Sequence, residues 1–117
     1  MGDIQRYEVG ARLSEAAVHQ STIYLAGQVA DDTTQDLRGQ TAQVLAMVDR
    51  LLAETGSDKT CILSTQIFLT DIGEIAAMNE VWDAWVPAGH TPPRATVQAA
   101  LANPGYLIEI VVTAAQR

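Results

Sequence analysis

At 117 residues the chain is the size of one compact domain, and its apolar fraction of 48% is ample for a core, although so short a chain buries a modest share of its surface unaided. A formal charge of −7, with only seven lysines and arginines spread along the sequence, disfavours DNA or RNA, whose recognition depends on cations that neutralise phosphates. The first ten residues lack the charged-then-apolar layout of a signal peptide, and no apolar run approaches the ~20 residues of a membrane helix, so a cytoplasmic protein without membrane contact is expected.

The first elements are strand-like. Gln5–Val9, Ala16–His19 and Thr22–Val29 are short and alternating, and Gln20-Ser21 is a tight turn that makes a hairpin of the last two. The acids and threonines of Asp31–Asp36 precede Leu37, Val44, Leu45, Val48, Leu51 and Leu52, a spacing that lays one apolar stripe along a helix. Gly56 is its natural stop, and Gly39 weakens its first turns by about 1 kcal/mol relative to alanine. After a polar connector, Ser57–Thr60, the run Cys61–Leu69 is too short and too rich in β-branched and aromatic residues for a long helix, and reads as a strand. Asp71 and Glu74 have capping-box spacing, and Ile75, Met78, Trp82, Trp85 and Val86 continue at helical intervals to Pro87 and Gly89. Two last strand-like runs, Arg94–Leu101 and Tyr106–Ala115, flank the turn Ala102–Gly105 and are expected to pair antiparallel. Residues 1–117 thus read as a single α+β domain, a mixed sheet with two helices on one face.

In the last strand Leu107, Glu109, Val111 and Thr113 alternate with Ile108, Ile110, Val112 and Ala114, so both faces carry apolar side chains. Leu63, Ile67 and Leu69 against Ile62 and Phe68 repeat the pattern. Two helices cover one face of an open sheet, and other copies of the chain are the economical cover for the other. If Leu101 faces Tyr106 across the turn, Gln98 faces Glu109 and Arg94 faces Thr113, which puts Arg94, Thr96, Gln98, Glu109 and Thr113 on one face. Arg94 would still lie ~13 Å along the strand from the level of Glu109, so the two charges act at different parts of a ligand or across an interface.

Arg94 follows Thr91-Pro92-Pro93, whose rings stiffen the approach to the strand. A guanidinium fixed there matches a carboxylate through two parallel N–H donors; the plainer alternative is a solvated arginine at a strand edge. Glu109 lies between Leu107 and Val111 on its own face, costly surroundings for a carboxylate unless it is hydrogen-bonded, ion-paired or functional. His19 and His90 show no metal-ligand spacing with each other or with Cys61, so no metal is expected. A phosphate loop, a nucleophile elbow and a recognisable serine-histidine-acid set are also missing. Cys61, the single cysteine, excludes an internal disulfide, and its apolar neighbours point to a buried, inert thiol. His90 stands near enough to Arg94 in sequence to touch a ligand, or else is a water-exposed loop histidine.

The segments Thr22–Val29, Phe68–Ile72, Met78-Asn79, Pro93–Val97 and Ile108–Ile110 resemble, in this order and over nearly the whole chain, the successive signatures of the Rid/YjgF family. Trp82–Trp85 and Ala88–His90 are similar to its YoaB-like subgroup. The resemblance implies a chorismate-mutase-like (YjgF-type) sandwich assembled as a homotrimer, with ligand clefts between neighbouring subunits. It implies that Arg94 grips a substrate carboxylate, that Glu109 helps hold a water and that the Gly27 backbone contributes, with Ala26, Thr96, Leu13 and His90 as further substrate neighbours. The reaction so implied converts 2-imino acids, or enamine tautomers such as 2-aminoacrylate, to 2-keto acids and ammonia without a cofactor. Leu13, Ala26 and Thr96 stand where many members carry a tyrosine, a serine, and a cysteine or serine, which removes hydroxyl contacts and leaves the carboxylate clamp. A non-catalytic module that captures a small carboxylate metabolite is the alternative function. A ribonuclease or translation inhibitor, an older label for relatives, is opposed by the acidity of the chain.

Overall fold

The structure, a computed structural model, describes residues 3–117. Its elements are β1 (Gln5–Val9), β2 (Ser14–His19), β3 (Thr22–Leu25), α1 (Leu37–Glu54), β4 (Ile62–Leu69), α2 (Ile75–Trp85), β5 (Arg94–Gln98) and β6 (Ile108–Ala115). Short 3-10 turns, Lys59–Cys61 and Ile72–Glu74, lead into β4 and α2. The strands form one sheet in the order β1-β2-β3-β6-β4-β5; β4 and β5 run parallel and the other neighbours antiparallel. The α+β class, the mixed sheet and the two helices agree with the expectation. Among the described residues no helix is long and apolar enough to cross a membrane.

Local chemistry sets most boundaries. Gln20 and Ser21 both adopt positive φ, 51° and 65°, the geometry whose twist suits a two-residue hairpin, and His19 pairs with Thr22 across it. Asp36 caps α1 by accepting a hydrogen bond from the Gly39 N–H at 2.9 Å. Gly39 is there for space: a Cβ on it would lie 2.9 Å from Gln35 Cβ. Asp71 accepts from the Gly73 N–H and so caps the 3-10 turn, and α2 itself begins at Ile75. The α1 stripe, with Met78 and Trp82 of α2, meets Ile67, Ile108, Ile110 and Val112 in one buried core. The molecule measures 44 × 38 × 20 Å, and its least dimension suits one helical layer on one sheet, leaving the far side of the sheet bare.

The last two strands depart from the expected pair, because β4 lies between them. Thr65 stands opposite Arg94 in the parallel β4–β5 ladder, and Phe68 stands opposite Glu109 in the antiparallel β4–β6 ladder. The Ala102–Gly105 turn does form, with Asn103 Oδ1 accepting from the Gly105 N–H at 2.7 Å. It sits, however, inside a longer connection, since β5 stops at Gln98 and β6 starts at Ile108. A tight turn joins adjacent strands, whereas this connection is long enough to cross the ~10 Å of two strand spacings. The backbone groups that a hairpin would have paired are engaged elsewhere: the Leu107 N–H donates to Gln40 Oε1 and the Ala99 N–H to Leu69 O, both at 2.9 Å.

That arrangement also separates the residues expected on one face. Arg94, Thr96 and Gln98 align with Thr65, Ile67 and Leu69 on the helix side, while Glu109 and Thr113 point to the open side. Two smaller corrections concern β3 and β4. β3 ends at Leu25 rather than Val29, although Gln28 still bridges to Ile110. A bulge between Ile62 and Ser64 sends Ile62 into the core and leaves Leu63 exposed, the reverse of simple alternation.

Gln40, fully buried on α1, acts as a backbone partner for the β5–β6 connection. Its Nε2 donates to Gly105 O at 3.0 Å and to Gln35 O at 3.2 Å, and its Oε1 accepts from the Leu107 N–H. Leucine has a similar volume but orphans the Leu107 N–H and the Gly105 carbonyl, so Gln40→Leu should lower the unfolding free energy by about 2 kcal/mol. Urea denaturation followed by circular dichroism checks this, and an unchanged midpoint would mean that those groups find other partners.

Candidate functional site

β5 is an edge strand and Arg94 is its first residue. Pro92 and Pro93 hold the approach extended, and Pro93 O accepts from the Thr65 N–H at 3.0 Å, which ties the start of β5 to β4. The Arg94 guanidinium lies over the indole of Trp82, its Cζ 5.2 Å from the ring centroid, and its Nη1 is 3.9 Å from Met78 Sδ. Both partners are buried residues of α2, while Arg94 itself is exposed. Arg38, Arg50 and Arg117 are each engaged by carboxylates; among the described residues Arg94 has no acidic partner. Thr96 shares the helix side with it, and its hydroxyl is buried without a hydrogen-bond partner, as are Thr65 Oγ1 and Asn79 Oδ1.

Glu109 is half-buried on the open face of β6, beside Phe68 of β4 and, one strand further, Val97 of β5. Gly27 lies in the irregular stretch between β3 and the Gln28–Ile110 bridge. A Cβ at Gly27 would lie 2.7 Å from Glu109 Cδ, so the carboxylate rests against this backbone only because the residue is glycine. Ala26 is held next to it, its N–H donating to Glu15 O at 2.9 Å and its carbonyl accepting from Gln28 Nε2 at 3.0 Å. On the helix side of this backbone a cleft of about 230 Å³ is lined by Glu15, Gly27, Gln28, Val29, Asp31, Met47 and Arg50. Hydrogen bonding to Arg50 holds the Glu8 carboxyl below its ordinary range, and hydrogen bonding with Glu8 pushes that of Glu54 up.

Gly27 and Glu109 therefore meet, and so do Arg94 and the α2 side chains, but one chain does not bring the two groups together. β4 separates β5 from β6, and the two charged side chains project from opposite faces. Leu13, 57% exposed, sits in the β1–β2 turn, where its carbonyl accepts from the Gly10 N–H at 2.8 Å. His90 is exposed in the α2–β5 loop. Cys61 is half-buried beside Thr60 and Arg117 rather than sealed in the core. No group of three or more His, Cys, Asp or Glu side chains among the described residues is placed to hold a metal ion. Trp82 and Met78 were legible in the sequence only as core residues; their i, i+4 spacing shows a shared helix face and not the arginine lying on it.

Residues 4–116 match the family described as Endoribonuclease L-PSP. The RutC family protein YoaB of Escherichia coli (strain K12) is 47% identical over 112 residues, which cover 96% of this chain and 97% of that one. A member of the YjgF protein family from Neisseria meningitidis, known from a crystal structure, is 48% identical with a TM-score of 0.96, covering 98% of this chain and 96% of its own. A protein from Pseudomonas aeruginosa is 43% identical with a TM-score of 0.95, covering 98% of this chain and all of that one. With matches of this extent in both sequence and fold, the chain belongs to the Rid/YjgF family, on its YoaB-like branch.

Proposed function

We propose that this chain assembles as a cytoplasmic homotrimer and hydrolyses reactive 2-imino acids, or their 2-aminoacrylate-type enamine tautomers, to 2-keto acids and ammonia at clefts between subunits. The division of its two charged site residues carries this reading. Arg94 lies on the helix side of an edge strand and Glu109 rests against Gly27 on the open face, so neither completes a site alone. The open face carries exposed apolar side chains beside its polar ones, with Tyr24 and Leu63 each 51% exposed, and a second copy seated there offers a way to bring both charges to one ligand. The partners are then the small imino acid and other copies of the chain, and the net charge of −7 argues against nucleic acid.

A protonated imine is already an electrophile, so positioning supplies most of what the reaction requires. Arg94 donates two parallel N–H bonds to the substrate carboxylate. An enamine first takes a proton on carbon and becomes the imine. Glu109 of the neighbouring copy holds a water and accepts its proton as the oxygen bonds to the imine carbon. In the carbinolamine the proton passes to nitrogen, the C–N bond breaks, ammonia departs and the carbonyl of the keto acid remains. Backbone N–H groups near Gly27 steady the developing charge. After the enamine's tautomerisation, which takes its proton from solvent, the remaining steps make up a hydrolysis with water as the only co-reactant.

The test generates 2-iminopropanoate or 2-iminobutanoate in place with an amino-acid oxidase and follows keto-acid release. The wild-type protein should accelerate release over the spontaneous rate, and Arg94→Ala should lower kcat/KM on the order of 100-fold, the cost of removing one partner of a charged, hydrogen-bonded pair. No acceleration, or an unchanged rate in the variant, removes the reading. Binding of a 2-oxo acid that depends on Arg94 but leads to no turnover would select a non-catalytic carboxylate-binding protein instead.

A further inference from the structure

We propose that Trp82 is a positioning residue for Arg94, and that the two indoles of α2 form a platform presenting the guanidinium edge-on to a carboxylate. The proposal rests on the reading of Arg94 as the carboxylate clamp and adds how the clamp is held. A guanidinium donates hydrogen bonds in its own plane, so a partner on its face restrains it without occupying a donor. The Trp82 ring offers such a restraint, since Cζ lies over it at 5.2 Å from the centroid, and among the described residues the only hydrogen bond that Arg94 makes to α2 is the weak one to Met78 Sδ. A carboxylate in place of the indole would fill the fork that the substrate needs.

The platform is itself anchored from two sides. Trp82 is 6% exposed, and its ring packs on Trp85 with centroids 5.4 Å apart at 47°. Trp85 Nε1 donates to Asp49 Oδ2 of α1 at 3.0 Å. Lys59, from the turn before β4, donates to Trp85 O at 2.6 Å and places its ammonium 5.1 Å from the centroid of the same ring. A side chain with four rotatable bonds thus enters binding already restricted, which lowers the ordering cost of holding a ligand. The restraint acts on binding and not on the chemical step, so its loss raises KM and leaves kcat.

Trp82→Leu and Trp82→Phe, compared with wild type, test this by imine hydrolysis and by calorimetric binding of 2-oxobutanoate. Trp82→Leu should raise KM and Kd about tenfold with kcat within about twofold, and Trp82→Phe, which keeps an aromatic face, should recover most of the loss. In wild-type protein the δ-methylene and Nε–Hε protons of Arg94 should resonate upfield through the indole ring current. Unshifted Arg94 resonances would overturn the proposal even if Trp82→Leu failed to fold. So would wild-type KM and Kd in Trp82→Leu, or losses in both Trp82 variants that merely follow their melting temperatures. If wild type binds 2-oxobutanoate without hydrolysing imines, the deaminase reading falls and the Kd comparison still decides the role of Trp82. If it binds no 2-oxo acid, both fall.

Discussion

Mixing Arg94→Ala chains with Glu109→Gln chains should restore activity that neither variant has alone. The expectation follows from geometry: β4 lies between the strands that carry the two residues, and their side chains leave opposite faces of the sheet. In the proposed trimer each cleft takes its arginine from one copy and its glutamate from the next. When equal amounts of the variants are co-expressed and assemble at random, half of the arginine positions and half of the glutamate positions are intact, so about a quarter of the clefts are complete. Each variant by itself has none and should fall on the order of 100-fold below wild type. Native mass spectrometry of the purified mixture establishes that the oligomers are hybrid, and the oxidase-coupled imine assay reads their activity. Activity no higher than that of the separate variants would mean that each chain holds its whole site, and the interface reading would be lost.

What could be read from the sequence had local causes. The α1 stripe and the Gln20-Ser21 turn each involve residues within a few positions of one another, and both stand as expected, whereas the cap that starts α1, Asp36, was not singled out among the acids and threonines ahead of Leu37. The alternation along β6 was legible for the same reason, with Ile108, Ile110, Val112 and Ala114 buried and their neighbours half-exposed. The partner of β6 was not legible. Residues 102–105 report that the chain bends, and nothing in them reports which strand lies alongside. That was settled by β4 and by Gln40, whose bond to Leu107 spans 67 residues. The mistaken hairpin carried directly into the site, since the same register had placed Arg94 and Glu109 on one face. Their separation strengthens the case for a shared interface, which the apolar second face already suggested. The contact of Gly27 with Glu109, far apart in sequence, was not legible; the family resemblance implied a part for each residue and not that they touch.

Gly27→Ala should reduce turnover on the order of 100-fold while leaving the fold in place, because near-attack geometry lost by ~1 Å carries a penalty of that size. A Cβ at this position would lie 2.7 Å from Cδ and 3.1 Å from Cγ of Glu109, inside the ~3.5–4 Å of ordinary carbon contact. One of the two must move. Gly27 is exposed and Glu109 half-buried on the bare face, so the carboxylate can swing outward, and the stability cost should stay near ~1 kcal/mol. The water that Glu109 is proposed to hold would move with it. Glu109→Asp is a sharper companion than a charge deletion, because it keeps the carboxylate and withdraws it by one methylene, relieving the overlap with the new methyl group. Placed on Gly27→Ala it should therefore destabilise less than the two single effects sum to, a coupling that only residues in contact show. Steady-state kinetics with thermal melts of the two single variants and the double variant would measure this. A wild-type kcat in Gly27→Ala would leave Glu109 without a part in turnover, and strictly additive melts would show that residues 27 and 109 do not touch.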